Sequence, residues 1–132
     1  MPTPTPSPRE RIKTDAAPAA IGPYSQGVLA RGVLFCSGQI ALDPETGQLV
    51  EGDIEEETMR VLDNLGAVLT AAGLGFPHVV QCTVYLTDLD DYAAVNEVYA
   101  RYFSAALPAR AAVPVTTLPR GARVEISCVA VA

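Results

Sequence analysis

The chain has one lysine, Lys13, and one histidine, His78, and its 15 acidic residues outnumber its 9 basic ones to leave a net charge of −6. With a sequence pI near 4.6 there is no basic stripe to neutralise a phosphate backbone, so nucleic acid is not expected as a main ligand. Cysteine is scarce and scattered. Cys36, Cys82 and Cys128 lie far apart in apolar segments, with no CxxC pair and no second histidine to complete a metal site. They read as buried thiols in a reducing compartment, and no metal is expected. No apolar run approaches the ~18 to 20 residues that span a bilayer, and the N-terminus lacks the apolar core of a secretory signal. The expected location is the cytoplasm, with no membrane partner. GxGxxG and GxxxxGK[ST] patterns are also absent, which removes the common signals for dinucleotides and nucleoside triphosphates.

What is present suits one domain. The chain has 132 residues, 49% of them apolar and 18% charged, which is ordinary globular composition. Residues 1–10, MPTPTPSPRE, carry proline at every second position from Pro2 to Pro8, a pattern that blocks helix and removes strand donors. This stretch is expected to be a disordered, polyproline-like tail, and residues 11–132 the folded unit. Within 53–72, Ile54, Val61, Leu62, Leu65, Val68 and Leu69 follow the 3.6-residue period and leave Glu56, Arg60, Asp63 and Asn64 outside. Asp53 suits the N-cap, Glu55 to Glu57 the positive end of the helix dipole, and Gly73 the left-handed stop. A second helix is expected over 90–103, with Tyr92, Val95, Tyr99, Tyr102 and Phe103 as its core face.

Strands are expected at 28–30, 33–39, 79–86, 110–117 and 123–131, with a short edge at 12–14. The order gives an α/β sandwich of two layers, with two helices on one face of a mixed sheet. Leu34, Cys36, Ile40, Val80, Cys82, Val84, Leu86, Val124, Ile126 and Cys128 form the phase facing the helices. The other phase, with Phe35, Ser37, Gln39, Val79, Gln81, Thr83, Tyr85, Arg123, Glu125, Ser127, Val129 and Val131, is too apolar to be left to water and too polar for a monomer core. Self-association is the inference.

Among the polar residues, Arg110 follows Pro108-Ala109 at a strand start. It reads either as a solvated edge charge or salt-bridge partner, or as a guanidinium held for two parallel bonds to a carboxylate. Glu125 lies between Val124 and Ile126 on the mixed face. It is either an ion-pair partner of Arg110 or Arg123, or a carboxylate whose partial burial suits it to activate water. Ser37-Gly38-Gln39 ends a strand with no histidine base near it, so a serine-hydrolase triad is not expected, and His78 reads as a loop residue. Gly22-Pro23-Tyr24-Ser25 is a tight turn presenting an aromatic ring, as packing or as a pocket wall.

Taken together, APAAIGPYSQGV (17–28), FCSGQIALDPETG (35–47), NL..VL.AAGL (64–74), V..TVYLTDL.DY..VNEVYARYF (80–103) and PARAAVPVTTLPRGARVEISCVAV (108–131) resemble the RidA/YjgF family of reactive-intermediate deaminases. The similarity spans nearly the whole chain beyond the tail. It implies a chorismate-mutase-like fold, a homotrimer with clefts between subunits, and 2-iminobutanoate/2-iminopropanoate deaminase activity. Such enzymes hydrolyse enamine or imine acids such as 2-aminoacrylate, released by pyridoxal-phosphate enzymes, to 2-keto acids and ammonia, without cofactor. By motif position the resemblance makes Arg110 the carboxylate binder and Glu125 the water holder. It lines the pocket with Tyr24 and Ser37 and sets Asn96 near the cleft. Ala112 departs from the cysteine, or less often threonine or serine, common there; its backbone amide remains as a donor, and covalent thiol catalysis from that position is impossible. A small-carboxylate-binding or chaperone-like trimer and an endoribonuclease-type translation inhibitor are the other roles attached to such sequences.

Overall fold

A computed structural model of the chain describes residues 8–132. Six strands and two helices follow one another as β1 (Arg9–Ile12), β2 (Gly27–Ala30), β3 (Val33–Gln39), α1 (Ile54–Ala71), β4 (Val79–Leu86), α2 (Tyr92–Tyr102), β5 (Ala109–Pro114) and β6 (Val124–Val131). They form one sheet in the order β1-β2-β3-β6-β4-β5. Only β4 and β5 run parallel, because the α2 crossover lies between them; the other pairs are antiparallel. The turn joining β2 to β3 uses Arg31 and Gly32, both at positive φ (52° and 79°), the geometry that matches strand twist in a two-residue hairpin. The edge strand starts earlier than expected. Arg9 and Glu10 pair with Ala30 and Leu29, so two residues assigned to the tail belong to the sheet, while residues 1–7 of that tail lie outside the described residues. No helix among the described residues is long and apolar enough to cross a membrane.

Helix α1 begins and ends as its sequence dictates. The Asp53 carboxylate accepts from the Glu56 amide at 2.8 Å, and Gly73, at φ 77°, turns the chain so that Leu74 N–H donates to the Leu69 carbonyl. Val61, Leu62, Leu65, Val68 and Leu69 are buried against the sheet, where Leu34, Cys82, Val84, Leu86, Val124 and Ile126 meet them. The three thiols are free and buried, and they form a row across β3, β6 and β4, since Cys36 pairs with Cys128 and Cys128 with Cys82. Burial pushes the Cys82 thiol pKa up, and contact with Cys36 together with burial does the same to Cys128, so these sulfurs are inert packing groups.

Four placements differ from the periodic reading, each for a local reason. Register shifts between Val79 and Gln81, so Val79 turns into the core at 3% exposure and Val80 faces solvent at 48%. A second shift between Cys36 and Gln39 puts Gln39 opposite Ile126 on the core phase, where it is buried. Asn64 is fully buried rather than outside. Its amide donates to the carbonyls of Ile40 and Leu42, and its Oδ1 accepts from Arg60, so it ties the loop after β3 to α1. Glu57 is likewise buried; its two oxygens accept from Arg123 N at 2.7 Å and Arg123 Nε at 2.6 Å.

The Glu57–Arg123 contact fixes the start of β6, and with it the position of every β6 side chain. Glu57→Ala leaves the Arg123 amide and Nε–H without their acceptor, with only the Nη2 bond to the Gly52 carbonyl kept, and should cost about 3 kcal/mol of stability. Glu56→Ala, one residue away on the surface, should stay within about 0.5 kcal/mol of wild type. Urea unfolding of both variants checks the contrast; equal stability would make the Glu57 contact incidental.

Candidate active site

Arg110 lies second in β5 and pairs with Cys82, which places its side chain on the helix-facing phase at the sheet edge. There it meets one stripe of α2, since Tyr92, Asn96 and Tyr99 are spaced by four and three residues. Nη1 donates to Asn96 Oδ1 at 2.7 Å and Nη2 donates to the Tyr92 hydroxyl at 2.8 Å. The guanidinium carbon also sits 4.8 Å from the centre of the Tyr99 ring and 5.6 Å from that of Tyr92. The Tyr99 hydroxyl is buried against Cys82 without a hydrogen-bond partner among the described residues, and burial raises its pKa. Every group that holds Arg110 is neutral. The two ion pairs among the described residues are Arg123–Glu57 and Arg101–Glu97, so the half-buried charge of Arg110 is fixed in place and left uncompensated. The arrangement is not a structural salt bridge, and it leaves guanidinium N–H groups unengaged. Ala112 follows two residues later on the same exposed edge strand.

Glu125 stands on the opposite face. It pairs with Tyr85, on the open phase of the sheet, and its carboxylate packs over Gly38. A Cβ added at Gly38 would lie 2.7 Å from Glu125 Oε2, so glycine there is a steric requirement of the carboxylate's position. Burial raises the Glu125 pKa above its ordinary value of 4.5. Neither ion pair foreseen for it forms, because Arg123 is engaged by Glu57 and Arg110 lies across the sheet. Glu125 and Gly38 line a cavity of about 290 Å³ together with Tyr24, Ile21, Ile40, Leu42, Pro119 and Arg120, so the one acidic group shares largely apolar walls with one guanidinium, which forms no ion pair with it. Buried Gln26 shapes the same wall, since its amide donates to the carbonyls of Thr14, Ala17 and Pro18.

Ser37 does not line this cavity. Its hydroxyl donates to the Ser25 carbonyl at 2.6 Å, which fastens the Tyr24 turn to β3. His78 accepts from the Gly75 amide through Nδ1 and closes the turn before β4, far from any acid-base role in the cavity. Of the residues singled out from sequence, Tyr24 and Glu125 therefore share one concavity, and Arg110 and Asn96 share another place on the other side of the sheet. One chain does not bring the two sets together. Helical spacing puts Tyr92 and Tyr99 on the core face of the helix; Tyr99 is in the core, but Tyr92 is 38% exposed and bonds Arg110. The signal that could have found Tyr92 is its four-residue offset from Asn96. The steric role of Gly38 has no such signal, because it arises from a contact 87 positions away in sequence, at Glu125.

Comparison with known proteins gives this arrangement a context. The family model described as Endoribonuclease L-PSP matches residues 14–132. Protein DfrA of Myxococcus xanthus is 58% identical over 125 residues, covering 93% of this chain and 95% of that protein. The mouse protein named 2-iminobutanoate/2-iminopropanoate deaminase is 54% identical over 123 residues, covering 93% and 91%. Among solved structures, E. coli TdcF with bound serine superposes with a TM-score of 0.90 at 40% identity, over 93% of this chain and 98% of that one. With a family match over nearly all the described residues and relatives above 50% identity, the chain belongs to the endoribonuclease L-PSP family, which is the RidA/YjgF family.

Proposed function

We propose that the protein is a deaminase of short 2-imino acids, acting as a homotrimer in which Arg110 of one subunit and Glu125 of its neighbour face a shared cleft. The observation that carries this reading is the uncompensated guanidinium of Arg110, held by neutral acceptors with N–H groups to spare. An imino acid offers the carboxylate that such a fork binds through two parallel bonds. The open sheet face, with Phe35 52%, Val131 42% and Val113 36% exposed, supplies the apolar surface that neighbouring subunits would cover. The name of the mouse relative supports the reaction.

In this mechanism Arg110 and the Ala112 amide orient the carboxylate, and Glu125 holds a water against the imine carbon. The water oxygen bonds to that carbon as the C=N pair moves to nitrogen. Glu125 takes the water proton and returns it to the nitrogen to give the carbinolamine; its hydroxyl proton then passes to the nitrogen as the C=O bond forms and the C–N bond breaks, giving the 2-keto acid and ammonia. No nucleophile of the chain is consumed, so alanine at position 112 is compatible with turnover. A raised Glu125 pKa makes the group a better base than an exposed carboxylate once it is ionised. Tyr24 and the aliphatic wall would take the substrate side chain, and no cofactor enters the reaction.

Arg110→Ala should lower keto-acid release from freshly generated 2-aminoacrylate by at least about a hundredfold with the melting curve unchanged, and Arg110→Lys should restore little of it. Full activity in Arg110→Ala would reduce the arginine to an edge charge and end this reading.

Glu125 gives a second expectation in which the sign follows from its raised pKa. Ionisation is penalised in the fold, so the cost of Glu125 appears as pH rises through and above the ordinary carboxylate value of 4.5. Glu125→Gln should therefore melt higher than wild type at pH 7 and lose that advantage near pH 4, while its turnover falls about tenfold or more. The wild-type rate should decline on the acid side with a midpoint above 4.5, and that limb should vanish in the variant. Gly38→Ala should lower turnover as well, since its Cβ displaces the carboxylate. An unchanged pH–rate profile in Glu125→Gln would remove Glu125 from the chemistry.

A further inference from the structure

Position 92 opens helix α2, where a tyrosine ring can cover the helix end without needing its hydroxyl, and on a residue 38% exposed water is an alternative partner. It nevertheless accepts from Arg110 Nη2 at 2.8 Å, one helical turn from the Asn96 oxygen that accepts from Nη1. The two acceptors do different work from either alone. A guanidinium carried on a long, flexible side chain and held at one nitrogen still turns about that bond, whereas two acceptors on one rigid helix fix its plane. The Tyr99 ring at 4.8 Å supports the face of the plane but gives it no direction, because a ring attracts a cation across its whole face. Five N–H groups are present and two are engaged, which leaves Nε–H and one hydrogen on each terminal nitrogen for a ligand.

We propose that Tyr92 is a positioning residue for the carboxylate site, its hydroxyl fixing the rotation of the Arg110 guanidinium so that the free N–H groups already point at the place a carboxylate will occupy. The kinetic part of this inference rests on the deaminase reading; the structural part concerns the arginine alone. The gain is in preorganisation. A fork that does not have to be oriented when the anion arrives binds it more tightly, and the benefit is the same in the ground state and the transition state. Tyr92 therefore acts on affinity through Arg110 and has no part in the bond-making step.

Tyr92→Phe deletes one oxygen and keeps the ring that lies 5.6 Å from the guanidinium, so it isolates the hydroxyl. Three readouts decide the matter. Nitrogen-15 spectra of the free protein, with Arg110 identified by its loss in Arg110→Lys, should show separate, slowly exchanging Nη signals in wild type and averaged ones in Tyr92→Phe. Calorimetric titration with pyruvate should show affinity weakened about three- to tenfold, and KM for 2-iminopropanoate should rise by the same factor with kcat within about twofold and the melting temperature unchanged. Equal pyruvate affinity and resolved Nη signals in the variant would overturn the proposal. A fall in kcat at constant KM would also overturn it, by moving the hydroxyl onto the reacting atoms, and a matching loss of melting temperature would reduce it to a structural tie. If wild type binds pyruvate yet releases no keto acid from the imine, the deaminase reading fails, while the spectra and the pyruvate affinities still judge Tyr92.

Discussion

A charge taken partly out of water normally finds a counter-charge, and neither Arg110 nor Glu125 forms an ion pair among the described residues. Each is held instead by neutral surroundings, the guanidinium by Asn96, Tyr92 and the Tyr99 ring, the carboxylate by close packing on Gly38. Because β5 and β6 present them on opposite faces of one sheet, they cannot relieve each other within the chain. The electrostatic cost persists until something supplies the missing partner. A carboxylate ligand would supply it for Arg110, and a water with an imine would use the basicity that burial gives Glu125.

The rest of the molecule serves that separation. Helix α1 packs over β3 and β6, and its buried Glu57 clamps Arg123 just ahead of β6, which engages the arginine nearest to Glu125 in sequence. Helix α2 carries the three residues that hold Arg110 and is joined to β5 by a short connection, so the arginine and its cradle move together. The irregularity at Ser37-Gly38 is equally purposeful. It shifts register, turns Gln39 into the core, and leaves a position without a side chain where the Glu125 carboxylate comes to rest.

Much of this architecture is legible in the sequence because periodicity and end signals act locally. The alternation over 33–39, 79–86 and 124–131 and the Asp53 and Gly73 boundaries of α1 required no tertiary information. The placements that departed from the pattern depend on contacts remote in sequence. Val80 is turned outward by a bulge against β6, Asn64 is buried by the carbonyls of Ile40 and Leu42, and Glu57 by an arginine 66 residues away. For the site, spacing alone favours an edge charge or salt-bridge partner for Arg110 and leaves Glu125 balanced between an ion pair and a functional carboxylate. The structure removes the ion pair, since the two lie on opposite faces. Their roles came from the family resemblance, which the match over residues 14–132 supports. Tyr92 escaped notice because a tyrosine at helical spacing resembles core, and only its 2.8 Å bond to Arg110 distinguishes it.

In the proposed trimer the anion anchor and the base of each cleft come from different chains, which subunit mixing can test. Arg110→Ala and Glu125→Gln chains, each strongly impaired by itself, are unfolded together in equal amounts and refolded, and imine hydrolysis is measured against wild type taken through the same cycle. Random assembly of a cyclic trimer should pair an intact arginine with an intact glutamate in about a quarter of the clefts, so about a quarter of wild-type activity should return. Activity no higher than that of the separate variants, in mixtures shown by mass to contain mixed trimers, would place both groups in a cleft built from one chain and contradict the account.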